Sequence, residues 1–229
     1  MIARLAGLAL AVHTAPALTS LAPVRRFTPR LAGRGDPAHV ALTFDDGPDR
    51  RSTPAFLEAL DSLGVQATFF LLGRMLELDP GLGRELVAAG HELAVHGWEH
   101  RPTLIRAGLH ADLRRTKALI SSATGTVPRW YRPPYGILTA SALLAARRHD
   151  LTPVLWTTWA RDWTASATPE SVLRTLTIEP GSTILLHDSD CTSAPDSWKS
   201  TLQALPTIVA RTRAQGLALG PLRDHGLPR

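Results

Sequence analysis

Short apolar runs alternate with stretches of helical period along most of the chain. Val40 to Phe44 is a continuous run of strand length that leads into Asp45 and Asp46, and Gly47-Pro48 ends it. Similar runs predict strands at Ala67–Leu72, Glu92–Val95, Arg129–Arg132, Thr152–Thr157, Ser182–Leu186 and Leu217–Leu219. Between them, Phe56, Leu57, Leu60 and Leu63 recur at helical spacing after Ser52 and Pro54, and Gly64 stops that helix. Asp79-Pro80 opens a helix through Leu86 to Ala89 before Gly90, and further helices are predicted at Ala107–Ala123, Thr139–Arg148, Thr168–Leu176 and Ser197–Thr212. Strands alternating with helices predict an α/β fold with a parallel sheet. The pattern fits an open doubly wound sheet and a closed barrel equally.

Composition narrows the class. The chain has 229 residues, 44% of them apolar, enough for one domain with a full core. No repeat or linker divides it, so we expect a single domain from residue 36 onward, preceded by an arm covering residues 1–35. That arm has no acidic residue but carries Arg4, Arg25, Arg26, Arg30 and Arg34. Its apolar piece, Leu5 to Val12, is too short to span a bilayer and makes a weak secretion signal, interrupted by His13 and Pro16. A cytoplasmic or membrane-peripheral location is therefore expected over a secreted one. The net charge of +5 suits an anionic partner such as a lipid headgroup or cell-wall polymer. The basic residues are scattered and no nucleic-acid motif is present, which argues against DNA or RNA. Cys191 is the only cysteine, so no intrachain disulfide can form; oligomeric state is left open.

The candidate chemistry gathers just after predicted strands, at the rim where α/β proteins build sites. Neighbouring residues of an extended strand point to opposite faces, so Asp45 and Asp46 are expected to do different jobs, or else to cap the next helix. His96 and His100 share a face if the backbone between them makes one helical turn. With Asp46 they make a His/His/carboxylate set suited to one divalent metal, zinc first, with cobalt, nickel or manganese as alternatives. Arg132-Pro133-Pro134-Tyr135-Gly136 offers a guanidinium that could pair with Asp45. The same stretch offers the Tyr135 N–H as a rigid donor to an oxyanion, the alternative being an ordinary turn. Trp156, Trp159 and Trp163 fall within eight residues; Trp156 reads as core and Trp163 as the better sugar-stacking candidate. His187 could be a general acid or a core histidine.

In order, Thr43-Phe-Asp-Asp-Gly-Pro48, His96-x-x-x-His100, Arg132-Pro-Pro-Tyr-Gly136, Asp162-Trp163 and Leu185-Leu-His187 resemble the polysaccharide deacetylase family of carbohydrate esterases, which share the NodB homology domain. The resemblance covers Val40 to His187. It implies a distorted (β/α) barrel with about seven parallel strands and metal-dependent hydrolysis of an N-acetyl group on an amino sugar. It also implies that Asp46, His96 and His100 hold the metal, that Asp45 is the base oriented by Arg132, and that His187 is the acid tuned by Asp162. Leu185 would line the acetyl pocket and the Tyr135 N–H would hold the oxyanion. Two departures stand out: Gly97 where Ser or Thr is common, and Trp159 where an Asp often precedes the Asp-Trp pair. The rival readings are a deformylase or small-amide hydrolase on a lipid-linked or low-mass substrate, and a non-catalytic glycan-binding module. A metal phosphoesterase would need a second metal and more ligands.

Overall fold

The structure, a computed structural model, describes residues 2–104 and 108–227, with side chains from residue 7 onward. At its centre is β1 (His39–Asp45), buried at every position. β1 pairs in parallel with β2 (Thr68–Leu71) on one side and with β7 (Thr183–His187) on the other. β3 (Glu92–Val95), β4 (Trp130–Tyr131) and β5 (Thr152–Pro153) continue the sheet beyond β2, while β6 (Thr158–Trp159) adds to β7. β8 (Ala218–Gly220) pairs with the amino-terminal half of β1.

Of the predicted strand Thr152–Thr157 only its start, β5, is a strand; β6 begins just past its end, at the opposite edge of the sheet. Seven strands laid flat at about 4.8 Å spacing would put those edges roughly 29 Å apart. The chain from Pro153 to Thr158 can reach at most about 18 Å, so the sheet must curl on itself. Barrel, rather than open sheet, follows from that short link.

Curling sorts the side chains by strand alternation. Val40, Leu42, Phe44, Phe69, Leu71 and Val95 face the surrounding helices and form the main core. Ala41, Phe70, Ala94 and Trp130 belong to a second, inner cluster. Burying each large apolar side chain contributes roughly 1.5–3 kcal/mol. The helices that cover the outer layer are α3 (Thr53–Leu63), α5 (Pro80–Ala88), α6 (Leu109–Thr124), α7 (Ala140–Arg148), α8 (Pro169–Thr175) and α9 (Trp198–Ala214). Their starts follow the capping signals: Asp79 accepts from the Leu82 amide, Thr139 from Ala142, and Thr168 and Ser171 form a reciprocal box. One short helix, α4 (Gly73–Leu78), was not expected. Ala107, the expected start of α6, lies outside the described residues.

The amino-terminal segment forms α1 (Ile2–Thr14), a 3₁₀ stretch and α2 (Ala22–Arg25). It is tied to the barrel by His13 Nε2 on the Leu104 carbonyl at 2.9 Å, and by Arg25, buried with its guanidinium 4.6 Å from the Trp156 ring centroid. Among the described residues no helix is long and apolar enough to cross a membrane.

Candidate active site

Strand register brings the candidate residues to one rim. Asp45 lies level with Phe70 and with His187, and Val95, just before His96, lies level with Tyr131, just before Arg132. Asp45, Asp46, His96, His100 and His187, together with Tyr135, Gly136, the three tryptophans, Leu185, Thr192 and Ser193, line a cavity of about 290 Å³.

Asp45 and Asp46 both face this cavity, which strand alternation alone did not predict. The chain has left the strand at Asp46, where φ is +80°, and the turn swings the second carboxylate back beside the first. His96 and His100 are likewise not on a helical turn. Gly97 between them has φ +103°, a conformation open to glycine and strained for the Ser or Thr common at this position. The resulting loop still sets the two rings 5.2 Å apart.

Among the described residues, Asp46, His96 and His100 are the set able to offer ligand atoms to one cation, all within 4.8 Å of one another. His96 Nε2 is 3.4 Å and His100 Nε2 3.6 Å from Asp46 Oδ1. That oxygen is buried without a hydrogen-bond partner, an expensive arrangement unless a cation completes it. His96 donates its Nδ1–H to the Arg132 carbonyl at 2.8 Å, which leaves Nε2 turned to the carboxylates. Burial pushes His100 down to about 4 despite the raising effect of Asp46, so its ring is neutral and can coordinate. Burial alone would raise Asp46, but the neighbouring imidazoles, with the protonated His187 across the cavity, hold it below the usual carboxylate range. The residues present fit a divalent cation with open positions.

Arg132, fully buried, donates to Asp45 Oδ1 at 2.6 Å, to the Thr43 hydroxyl at 2.9 Å and to the Leu155 carbonyl at 2.8 Å. Desolvation lowers the Arg132 pKa, and the Asp45 carboxylate opposes that. Across the cavity, Asp162 Oδ1 accepts from His187 Nδ1 at 2.9 Å, while its Oδ2 accepts from the His187 amide at 2.8 Å and from the Thr201 hydroxyl of α9 at 2.7 Å. Burial opposes charge on His187, but the Asp162 charge and hydrogen bond, with Asp46 and Asp45 beyond, raise it to about 10. The Pro134–Gly136 turn holds Tyr135 at φ +59°; the Gly136 and Ile137 amides bond back to Pro133 and Pro134, and the Tyr135 amide takes no part. Gly136 is needed there, since a Cβ would stand 2.6 Å from the Trp156 ring. Asp46 and Tyr135, both lining the cavity, are two of the five non-glycine residues with positive φ among those described, backbone strain of about 1–3 kcal/mol each.

Sequence reasoning missed Thr192, whose hydroxyl donates to Asp46 Oδ2 at 2.5 Å, Thr43, which accepts from Arg132, and Thr201, which donates to Asp162. The polar stretch 188–193 after β7 was the available signal, but nothing in it singles out one residue. His91 immediately precedes β3, at the opposite strand end from His96, and is buried against Phe69.

A family model described as polysaccharide deacetylase matches residues 32–154. The chain belongs to the polysaccharide deacetylase family. It is 36% identical over 195 residues to a chitooligosaccharide deacetylase of a Bradyrhizobium strain, covering 80% of this chain and 88% of that one. To a peptidoglycan-N-acetylglucosamine deacetylase of Bacillus cereus it is 31% identical over 200 residues, covering 84% of this chain and 70% of that one. Among solved structures, a family 4 carbohydrate esterase from Streptomyces lividans in complex with acetate superposes with a TM-score of 0.73 at 29% identity, over 83% of this chain and 97% of that one. The curled parallel sheet of the deacetylase family is thus the fold seen here.

Proposed function

We propose that this deacetylase is a metal-dependent hydrolase that removes N-acetyl groups from amino sugars of a poly- or oligosaccharide. The observation that carries the reading is the placement of the Asp46/His96/His100 cluster between a carboxylate held by Arg132 and an imidazole held by Asp162, all in one cavity. The two similar deacetylases named above act on chitooligosaccharide and on peptidoglycan N-acetylglucosamine, which supports the same substrate class here. Two imidazoles and one carboxylate favour zinc.

A divalent ion bound there would polarise the amide carbonyl and acidify water. Asp45, held in place by Arg132, takes the proton of the attacking water. The Tyr135 N–H is placed to donate to the oxygen that gains charge. His187 keeps Nδ1–H on Asp162, so its Nε2 proton goes to the leaving amine, and no covalent intermediate is required. Leu185 lines the cavity and offers an apolar contact to the acetyl methyl. The arm, with no acid and exposed Leu8, Leu10, Val12, Leu18, Leu21 and Phe27, supports association with an anionic membrane or cell-wall surface.

Incubation with a panel of N-acetyl and N-formyl glycans should release acetate in step with free amine. Release of formate alone would replace this reading with the deformylase one, and release of neither would remove the enzymatic reading.

Thr192 provides a separate check on the cation. Removing its hydroxyl frees Asp46 Oδ2 from the bond that orients the ligand, so Thr192→Ala should weaken zinc binding by about 10- to 100-fold. Turnover should return at saturating zinc, and competition with a chelating dye reads the affinity directly. Unchanged affinity would show that the hydroxyl does not position Asp46.

A further inference from the structure

We propose that Trp159 is a platform for the sugar ring next to the one being deacetylated, and that it makes the enzyme prefer oligosaccharides to single sugars. The inference rests on the deacetylase reading and extends it to a residue with no role in the chemistry. A cavity of about 290 Å³ is at the small end of ligand pockets, so it suits the reacting residue while the rest of a glycan must run across the rim. What the rim offers there is aromatic. Trp163 sits edge-on to His187 at 5.7 Å, Trp159 lies 4.7 Å from Trp163, and Trp156 lies 5.8 Å from Trp159. The neighbouring rings are tilted by 32° and 33°, which makes a curved wall rather than a closed stack. Trp156 is buried, whereas Trp159 remains 38% exposed.

The position of Trp159 keeps it open. It lies on β6, the edge strand of the sheet, level with Leu185 of the acetyl pocket. Its support is rigid, because Trp156 is fixed from behind by the Arg25 guanidinium and by the close approach of Gly136. An indole fixed in this way meets the C–H face of a pyranose without losing side-chain freedom on binding.

Arg132 is held by Asp45, Thr43 and the Leu155 and Val154 carbonyls and takes no bond from position 159, whose side chain lines the cavity instead.

The test compares wild type with Trp159→Ala and Trp159→Phe on N-acetylglucosamine oligomers of increasing length and on a small aryl acetate. In wild type, kcat/KM should climb with length. In Trp159→Ala that climb should fall about tenfold, the loss of one stacking contact, with the single sugar and aryl acetate losing far less. Trp159→Phe should keep part of the climb. Equal losses on all substrates, or an unchanged climb, would overturn the proposal. If wild type releases no acetate from any glycan, the deacetylase reading falls on its own. Trp159 is then judged by calorimetric titration of the same oligomers into metal-free protein, where weaker binding by Trp159→Ala supports the platform. Equal affinity, or no binding by wild type, overturns it.

Discussion

Asp45→Asn is expected to lower kcat by about 10² to 10⁴ while the protein keeps its cation, the range for a lost general base. The change is nearly isosteric. The amide oxygen can still accept from Arg132, and Asp46, His96 and His100 are untouched, so only the proton acceptor disappears. Asp46→Asn should fail differently, because it replaces an anionic ligand by a neutral one at the buried oxygen that faces both imidazoles. Metal affinity should drop, and excess zinc should restore part of the rate. Bound metal and kcat measured on both variants decide the matter: equal metal retention with equal rate loss would mean that the two carboxylates do not have the separate roles assigned to them.

His187→Ala is expected to have a comparable effect on N-acetyl glycans, again about 10² to 10⁴ in kcat, and a much smaller one on an aryl acetate. An amine leaves as a poor anion unless it is protonated, whereas a nitrophenolate leaves unaided. Similar losses on both substrates would point to a structural role for the ring. The pH profile carries the same assignment. A histidine raised to about 10 is protonated through neutral pH and loses its proton only as pH rises past that value, so the rate should fall on the alkaline side. A bound cation offsets the Asp46 and Asp45 charges, which places the alkaline limb of the loaded enzyme below 10. Asp162→Asn removes the strongest raising influence, so its alkaline limb should move to lower pH. A limb that stays in place in Asp162→Asn would assign the alkaline group to another residue.

The parts of the site that were legible in the sequence are those carried by strand ends. Val40–Phe44 announces β1 by its apolar run, and Asp45, His96, Arg132 and His187 then follow from counting to the ends of strands that the register aligns. Local patterns say less where the chain changes direction. Thr152–Thr157 reads as one strand because its composition does not record that the chain leaves one edge of the barrel and joins the other. The helical turn expected at His96–His100 is absent because Gly97 adopts φ +103°, and the opposite faces expected of Asp45 and Asp46 merge because Asp46 turns at φ +80°. α4 was missed because six residues beginning with glycine give little periodicity. Thr192 and Thr201 reach the site from residues far away in sequence, and no local spacing encodes such contacts.

Hydrolysis is expected to require one cation held by Asp46, His96 and His100. Protein stripped by a chelator and titrated with zinc, with bound zinc and acetate release read on the same samples, tests it most directly. We expect no turnover without metal, and a rate that rises in proportion to occupancy and saturates at a single ion per chain. Full turnover in the metal-free protein would contradict the account.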